Sequence, residues 1–455
     1  MRLRTNVMIL TIIKIVILLS GLTLLTPQSG AHTPDDNRPM SLRECLLYAR
    51  SHSRENRIRR LEEEMAKADK GMAASALMPE VSLSGNGNIS FGRNIDPETN
   101  TYDNKKTLYT GFGLGASMPL FDGLARINTL KAYRIAMLKS RKATEATEDM
   151  TSLAVIKAFY KALYCKAIVD QMEEQLDRDR RILAATRLGE ETGTKSGADV
   201  AEIEALVASD EYELLNSRNL LSKAYLDLRY EMGMEPTGEQ LELYDDTAGI
   251  SFTDEPSFRP DIADVNPRIA EATLAVKEGL YNLRSAKGQL FPRISVNGGI
   301  STSYYRMIGD HGAASGFSKQ WHDNMGQYIG MSITIPLFTG LSNINRIKRA
   351  KAEYIERQTR LDQTRLEIER LKEEAAIDFR GSVEEWRSAG VRLEAEKTAY
   401  KAVERKFELG SASAIDLSTA GTRLIKARAA LESKRAEAVI SRITLEYYYG
   451  RPLIR

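Results

Sequence analysis

Residues 119–131 read PLFDGLARINTLK and residues 336–348 read PLFTGLSNINRIK. Both fit P-L-F-x-G-L-x-x-I-N-x-x-K, with Pro336 repeating Pro119 at an offset of 217. The same offset links Gly193 with Gly410, Asp199 with Asp416 and Gly233 with Gly450. Upstream, Pro79 in LMPEVSLSG matches Pro292 in LFPRISVNG at 213, so the spacing between the paired prolines is longer by four in the second half. A chain of 455 residues would ordinarily be counted as two or three domains. An internal repeat overrides that count. The chain is one unit of roughly 200 residues written twice.

Each unit has the same order of patterns. A helix (about Ser41–Leu77, then about Asn266–Gln289) runs into a proline and is followed by a strand, a polar loop, a second strand and another proline. A very long helix, a glycine-containing turn and a final helix complete it. The first unit, residues 32–240, predicts strands about 81–91 and 108–118, a long helix about 123–188 and a helix about 196–232. The second, residues 266–455, predicts strands about 294–304 and 328–335, a long helix about 340–409 and a helix about 414–448. Residues 241–265 link the two.

Val81, Leu83, Ile89 and Phe91 share one face of the first strand, and Leu108, Phe112, Leu114 and Met118 one face of the second. Ile294, Val296, Ile300 and Tyr304 do the same in the third, and Ile329, Met331, Ile333 and Ile335 in the fourth. Alternation over about ten residues has the length and period of a membrane-spanning β-strand, although a half-buried hairpin in a soluble protein shares the pattern. The loops between paired strands, 92–107 and 306–327, are polar and read as lacking apolar anchors.

The long helices would each span roughly 100 Å at 1.5 Å per residue. Asp122 and Thr339 are placed to cap them. The flanking helices are about half as long, so two stacked end to end would match one rod. Val200, Val207, Leu214, Leu221 and Leu228 recur at strict sevens, as do Leu417, Leu424, Leu431, Ala438 and Leu445, the period of coiled-coil packing. Asp210 and Ser217 interrupt the second seam position, which predicts a rod wetted on one side.

Arg2, Arg4 and Lys14 flank an apolar run from Ile15 to Leu25, with Pro27 and Ser29-Gly30-Ala31 behind it. That is the layout of a secretory signal peptide, residues 1–31; the run is too short for a spanning helix, which needs about 20 apolar residues. The chain carries 64 Lys+Arg against 62 Asp+Glu, and removing those three cations leaves it near neutral. Such a balance excludes a strongly basic nucleic-acid binder. Two cysteines exclude a disulfide scaffold or a Cys-rich metal module. Arg43 and Glu44 directly before Cys45 argue against acylation there, and Cys45 and Cys165 are expected as buried thiols. His311 and His322, beside Asp310 and Asp323, lack metal-ligand spacing; Trp321 reads as a girdle aromatic or a loop contact. Glu62, Glu63, Glu64, Glu373 and Glu374 read as solvated helix faces. No catalytic constellation, cofactor motif or metal site is expected, hence no enzyme.

Four strands cannot close a membrane barrel, because the smallest has eight, and an open edge in lipid leaves backbone groups unpaired. If the strands lie in a membrane, several copies must share one barrel. At this point the sequence resembles the TolC-like outer-membrane efflux proteins, in the Bacteroidetes branch of the family, from about Ser41 to Pro452. The doubled L-x-P before a strand, the doubled P-L-F-x-G, the doubled Gly…Asp turn and the GRNIDPETNT loop carry the resemblance. It implies a membrane β-barrel joined to a long α-helical barrel: a homotrimer with a 12-stranded barrel in outer-membrane lipid and 12 helices crossing the periplasm. It implies an equatorial region at about 235–265. The implied function is a passive exit duct of a tripartite efflux or type I secretion system, partnered by a periplasmic adaptor and an inner-membrane pump. A secreted structural coiled coil with a soluble hairpin domain is the competing reading.

The resemblance also places control of transport at the turns GTKSGAD (193–199) and GSASAID (410–416). Gly193, Gly197, Gly410 and Ser411 suit tight turns onto which an adaptor would dock. Asp416 matches a lumen-facing aspartate ring and Asp199 a latch aspartate. Phe407 stands at the latch tyrosine, Ala412 at the latch arginine and Thr419 at a second ring aspartate. Asp416 and Asp199 equally fit first-turn acids stabilised by the helix dipole.

Overall fold

The computed structural model describes residues 39–95, 101–104, 106–236, 241–245, 266–308, 316–451 and 453. The signal-peptide segment, most of the 241–265 linker, His311 and Asp310 lie outside them. In chain order the elements are β1 (Met40–Ser41), α1 (Leu42–His52), α2 (Arg54–Ser75), β2 (Glu80–Ser90), β3 (Arg93–Ile95), β4 (Tyr102–Asn104), β5 (Lys106–Phe121), α3 (Ala125–Glu191), α4 (Gly197–Met232), β6 (Leu243–Tyr244), α5 (Pro267–Gly288), β7 (Arg293–Ile308), α6 (Phe317–Asp323), β8 (Gly326–Thr334), α7 (Ser342–Glu408) and α8 (Ala414–Tyr448).

Four strands form one antiparallel sheet in the order β2-β5-β7-β8, with β2 and β8 as its edges. The register sorts the side chains by chemistry. Leu83 lies opposite Leu114, Leu114 opposite Ile300, Val296 opposite Met331 and Ile294 opposite Ile333, all on one face. That face is open: Leu83 is 80% and Ile329 85% exposed. The other face carries Ser82, Ser84, Asn86, Ser117, Asn297, Ser295 and Ser332. There Ser117 Oγ donates to Asn297 Oδ1 (2.9 Å), and the Ser295 and Ser332 hydroxyls share a 2.7 Å hydrogen bond.

The central strands β5 and β7 are 16 residues each, longer than the ten or so expected. Near the end of β5 the register slips: Pro119 pairs with Ser295 but Phe121 pairs with Ile294. This β-bulge inserts Leu120 and re-aims the next side chain, so Phe121 joins the apolar face. The doubled P-L-F-x-G segment therefore has a structural use in the first repeat that alternation alone conceals.

Both long helices contain 67 residues, about 100 Å each. Along α3 pack α4 over one part and α2 and α5 over the other; α7 packs on α8 and α5 in the same way. Each long helix starts from two left-handed residues, Gly123 (φ 66°) and Leu124 (φ 63°), then Gly340 (φ 59°) and Leu341 (φ 62°). The expected caps are thereby displaced. Leu124 and Leu341 hold the N-cap positions without side-chain hydrogen bonds. Asp122, just before Gly123, still accepts from the Arg126 backbone N–H at 3.1 Å, whereas Thr339 contributes its carbonyl, to Ser342 N–H.

Three further expectations change. The helix over 41–77 is broken at Ser53 (ψ 130°), and Gly233 at the end of α4 packs against this break: a Cβ there would lie 2.6 Å from the His52 carbonyl oxygen. The loop over 306–327 contains α6 and does have apolar anchors, Phe317 and Trp321. The loop over 92–107 contains the β3–β4 hairpin. Cys45 and Cys165 are buried thiols outside any disulfide, and burial raises the pKa of Cys165 above the usual thiol range.

Candidate functional site

The heptad positions build the helical seams. Val200, Val207, Leu214, Leu221 and Leu228 are all buried, as are Leu417, Leu424, Ala438 and Leu445. The seam of the first hairpin is dry on both sides, contrary to the expectation of a wetted rod. Asp210 is 8% and Ser217 9% exposed. Asp210 faces Asp179 of α3, itself 1% exposed, and Asp210 Oδ2 has no donor among the described residues. The Gln175 amide donates to Asp179 Oδ2 at 2.6 Å, while Arg178 spends a guanidinium N–H on Gln175 Oε1 at 2.8 Å. Two carboxylates brought together away from water cannot both ionise cheaply. Burial first, then the contact with Asp179, pushes the Asp210 pKa up to about 8. The sequence showed the acid at the seam; it did not show the second acid facing it from the preceding helix.

The two helix turns are built alike. In the first, Thr194 N–H reaches back to the Gly189 carbonyl (2.8 Å) across Gly193 at φ 75°. In the second, Ser411 N–H reaches the Lys406 carbonyl (2.8 Å) across Gly410 at φ 72°. These are six-to-one helix stops that require a left-handed residue, a position glycine occupies without a Cβ clash. Gly197, the first residue of α4, lies close to Glu190: a Cβ there would be 3.0 Å from Glu190 Oε1. Ser411 also donates its hydroxyl to Lys406 O at 3.1 Å.

Asp199 and Asp416 close matching capping boxes. Ser196 N–H and Oγ donate to Asp199 Oδ2, both at 2.9 Å, and Ser413 N–H and Oγ donate to Asp416 Oδ2 at 3.0 and 2.8 Å. The backbone N–H, then the hydroxyl, hold each carboxyl below the ordinary aspartate range. Both are therefore anionic at neutral pH; Asp416 is exposed and Asp199 half-buried. The first-turn reading of these acids holds for both. Thr419 is exposed one turn beyond Asp416.

Sequence reasoning missed Lys195. Its ammonium lies 4.9 Å from the centroid of the Phe407 ring, which joins the turn of the first hairpin to the last helical turn of α7. A cation over an aromatic face is attracted by the ring quadrupole. Phe407 thus still makes a polar link between hairpins. The one basic residue in GTKSGAD, opposite Ala412 in the repeat, was the available signal.

Among the described residues, no group of three or more His, Cys, Asp or Glu side chains could hold a metal ion, and no helix is long and apolar enough to cross a membrane. His322 Nδ1 lies 2.7 Å from the Ser318 carbonyl.

A family model described as "Outer membrane efflux protein" matches residues 49–234 and 260–451. The chain is 21% identical over 382 residues to outer membrane protein TolC of Vibrio cholerae, covering 83% of each chain. It is 23% identical over 418 residues to the probable efflux pump outer membrane protein TtgC of Pseudomonas putida, covering 89% of this chain and 82% of that one. Among solved structures, CusC superposes with a TM-score of 0.77 at 18% identity, over 90% of this chain and 92% of CusC. The Campylobacter jejuni CmeC outer membrane channel gives a TM-score of 0.78 at 15% identity, over 90% of this chain and 85% of that one.

Proposed function

The chain belongs to the outer membrane efflux protein family, and from that premise we propose that three copies join their sheets into one 12-stranded barrel above a 12-helix periplasmic tunnel. The protein is an outer-membrane efflux channel with its helical part in the periplasm. It is a passive duct: energy comes from an inner-membrane pump reached through a periplasmic adaptor, and the chain contributes a water-filled path.

The observation that carries the trimer is the division of the sheet into an open apolar face and a hydroxyl- and amide-lined face, ended by two unpaired edges. An apolar exterior and polar lumen are what a spanning barrel needs. Unpaired N–H and C=O groups of β2 and β8 in lipid would cost several kcal/mol each, so β8 of one copy pairs with β2 of the next. Twelve strands leave an open lumen.

The tip is the site of control. Asp416 contributes one carboxylate per copy to a ring at the aperture, Lys195 and Phe407 tie the two hairpins of a copy together, and Asp199 keeps the first turn rigid. Gly193, Gly197, Gly410 and Ser411 form the small-residue turns against which the adaptor docks, with Thr419 one turn above the ring.

Light scattering of the detergent-purified protein tests the assembly. A protein mass of three chains is expected; a monodisperse single chain that needs no detergent would remove the channel reading.

A further inference from the structure

Helix α6 occupies an unusual place. Beyond Ser301, β7 runs on without β8 beside it. Two amides of the α6 segment take over the missing ladder: Tyr305 N–H donates to Gln320 Oε1 (2.9 Å), Gln320 Nε2 donates to Tyr305 O (3.0 Å), and Asn324 Nδ2 donates to Ser303 O (2.8 Å). The helix lies on the apolar face of the sheet, not on the polar one. Trp321 packs on Phe112 (centroids 5.2 Å), Phe317 on Tyr304 (5.3 Å), and Thr302 Oγ donates to Trp321 O (2.9 Å). Phe112, Thr302 and Tyr304 all belong to the apolar face.

Height along the sheet is informative. From Ile294, opposite Phe121, to Tyr304 is about ten residues, or about 34 Å of strand. At a tilt of about 45° that is about 24 Å, against an apolar band of about 25 Å in outer-membrane barrels. Phe121 and the exposed Phe291 and Phe338 mark the lower rim. At the upper rim, Phe91, Tyr304, Phe317 and Trp321 are joined by exposed Lys106, Arg306 and Lys319, with Lys106 Nζ 5.5 Å from the Phe91 ring. Asp323, at the end of α6, is the acid of the helix.

We infer that α6 and the basic side chains beside it form a collar on the barrel exterior that binds phosphate-bearing lipid headgroups of the outer leaflet. The aromatic rings suit the headgroup boundary, and three cations at that level complement anionic phosphates. The inference rests on the channel reading and adds a lipid-binding surface to it.

The test uses the full-length protein with Trp386→Phe, which leaves Trp321 as the one tryptophan. It is reconstituted in phosphatidylcholine–phosphatidylglycerol vesicles containing lipid brominated either near the carbonyl or near the chain end. The expected result is strong quenching by the first and weak quenching by the second. In vesicles where protease protection shows insertion, quenching by aqueous iodide with none by either lipid would overturn the collar while leaving the channel intact. Failure to insert at all would overturn the channel reading and the collar with it. In a second arm, energy transfer from Trp321 to dansyl-phosphatidylglycerol should exceed transfer to dansyl-phosphatidylcholine. Lys106→Gln/Arg306→Gln/Lys319→Gln should abolish that preference, by up to about fivefold per charge removed. An unchanged ratio would overturn the assignment of these cations.

Discussion

Gly123 and Gly340 have the same backbone but different surroundings. Both are left-handed and both precede a left-handed leucine and a 67-residue helix. A Cβ on Gly123 would lie 2.2 Å from the Gly288 carbonyl oxygen and 2.6 Å from Phe291, so backbone from the second repeat closes over it. A Cβ on Gly340 would meet nothing within 4 Å, and Leu337 and Phe338 beside it are 92% and 82% exposed. The first repeat is finished by the second. In the proposed ring of copies, the second would be finished by the first repeat of the next chain, where Met78 lies exposed in the position matching Phe291.

The largest expected effect breaks or confirms this comparison directly. Gly123→Ala forces backbone apart and should abolish folded protein. Gly340→Ala carries the left-handed strain of about 1–2 kcal/mol and no clash within the chain. If neighbours close over Gly340, its alanine variant should lose the trimer on native gels or light scattering as thoroughly as the Gly123 variant loses the fold. A Gly340→Ala protein that keeps full trimer yield would show that no neighbouring backbone approaches there.

Next in size is a charge on the sheet. Leu114 and Met331 are equivalent positions of the two repeats, and both lie on the apolar face. Lysine at either should cost about 2–4 kcal/mol per copy at mid-membrane and sharply reduce heat-resistant assembly. Lysine at Ser332, on the polar face, should be tolerated. Equal assembly of all three variants would reverse the assignment of faces.

Much of this architecture was legible in the sequence for reasons that can be stated. Strict sevens and period-two alternation record which side chains are buried together, so the seams and the sheet faces emerged from spacing alone. What stayed hidden depends on contacts far apart in sequence. The bulge at Leu120 shifts Phe121 to the opposite face without leaving a compositional mark. The break at Ser53 lies against Gly233, at the opposite end of the first repeat. Helix α6 is short, and its anchors, Phe317 and Trp321, become anchors only once β7 outruns β8. Asp210 is polar and in isolation reads as water-facing; its burial, and Asp179 facing it across the seam, appear only in the packed helices.

That acid pair is the second difference between the repeats, and a smaller lever. At the repeat offset, Asp210 is matched by Ala427, fully buried, and Asp179 by Glu396. The fold therefore makes the same seam from an alanine, and the carboxyl pair is not required for packing. Asp210 titrates at about 8 in the folded chain against about 3.9 in an unfolded one. The folded state binds the extra proton, so this stabilisation is complete below about pH 4 and is lost as pH rises towards 8. Melting of the helical body should drop by several degrees between pH 5 and pH 8.5, and Asp210→Ala should flatten the profile while being neutral or stabilising at pH 8. The reciprocal change, Ala427→Asp, buries a carboxyl without a partner and should cost about 3 kcal/mol or more. A wild-type profile as flat as that of Asp210→Ala would mean the pair does not hold its proton.

The smallest expected effect concerns the two turns, which are nearly identical in local structure and separated only by their place in the assembly. Asp199 and Asp416 accept the same two hydrogen bonds from the same type of serine. Alanine at either would remove a cap as well as a charge, at about 1 kcal/mol. Asparagine keeps an acceptor for Ser413 or Ser196 and removes only the charge. If Asp416 lines the aperture, Asp416→Asn should weaken block by hexamminecobalt in planar bilayers roughly tenfold, whereas Asp199→Asn should leave it unchanged. Backbone and hydroxyl donors hold both carboxyls below the ordinary aspartate range, so the wild-type block should persist through the pH range where an ordinary aspartate is protonated and disappear only under more acidic conditions, as the ring charge and the caps are protonated together. Equal loss of block in the two variants would place both turns at the pore, and no loss in either would leave Asp416 with its capping role alone.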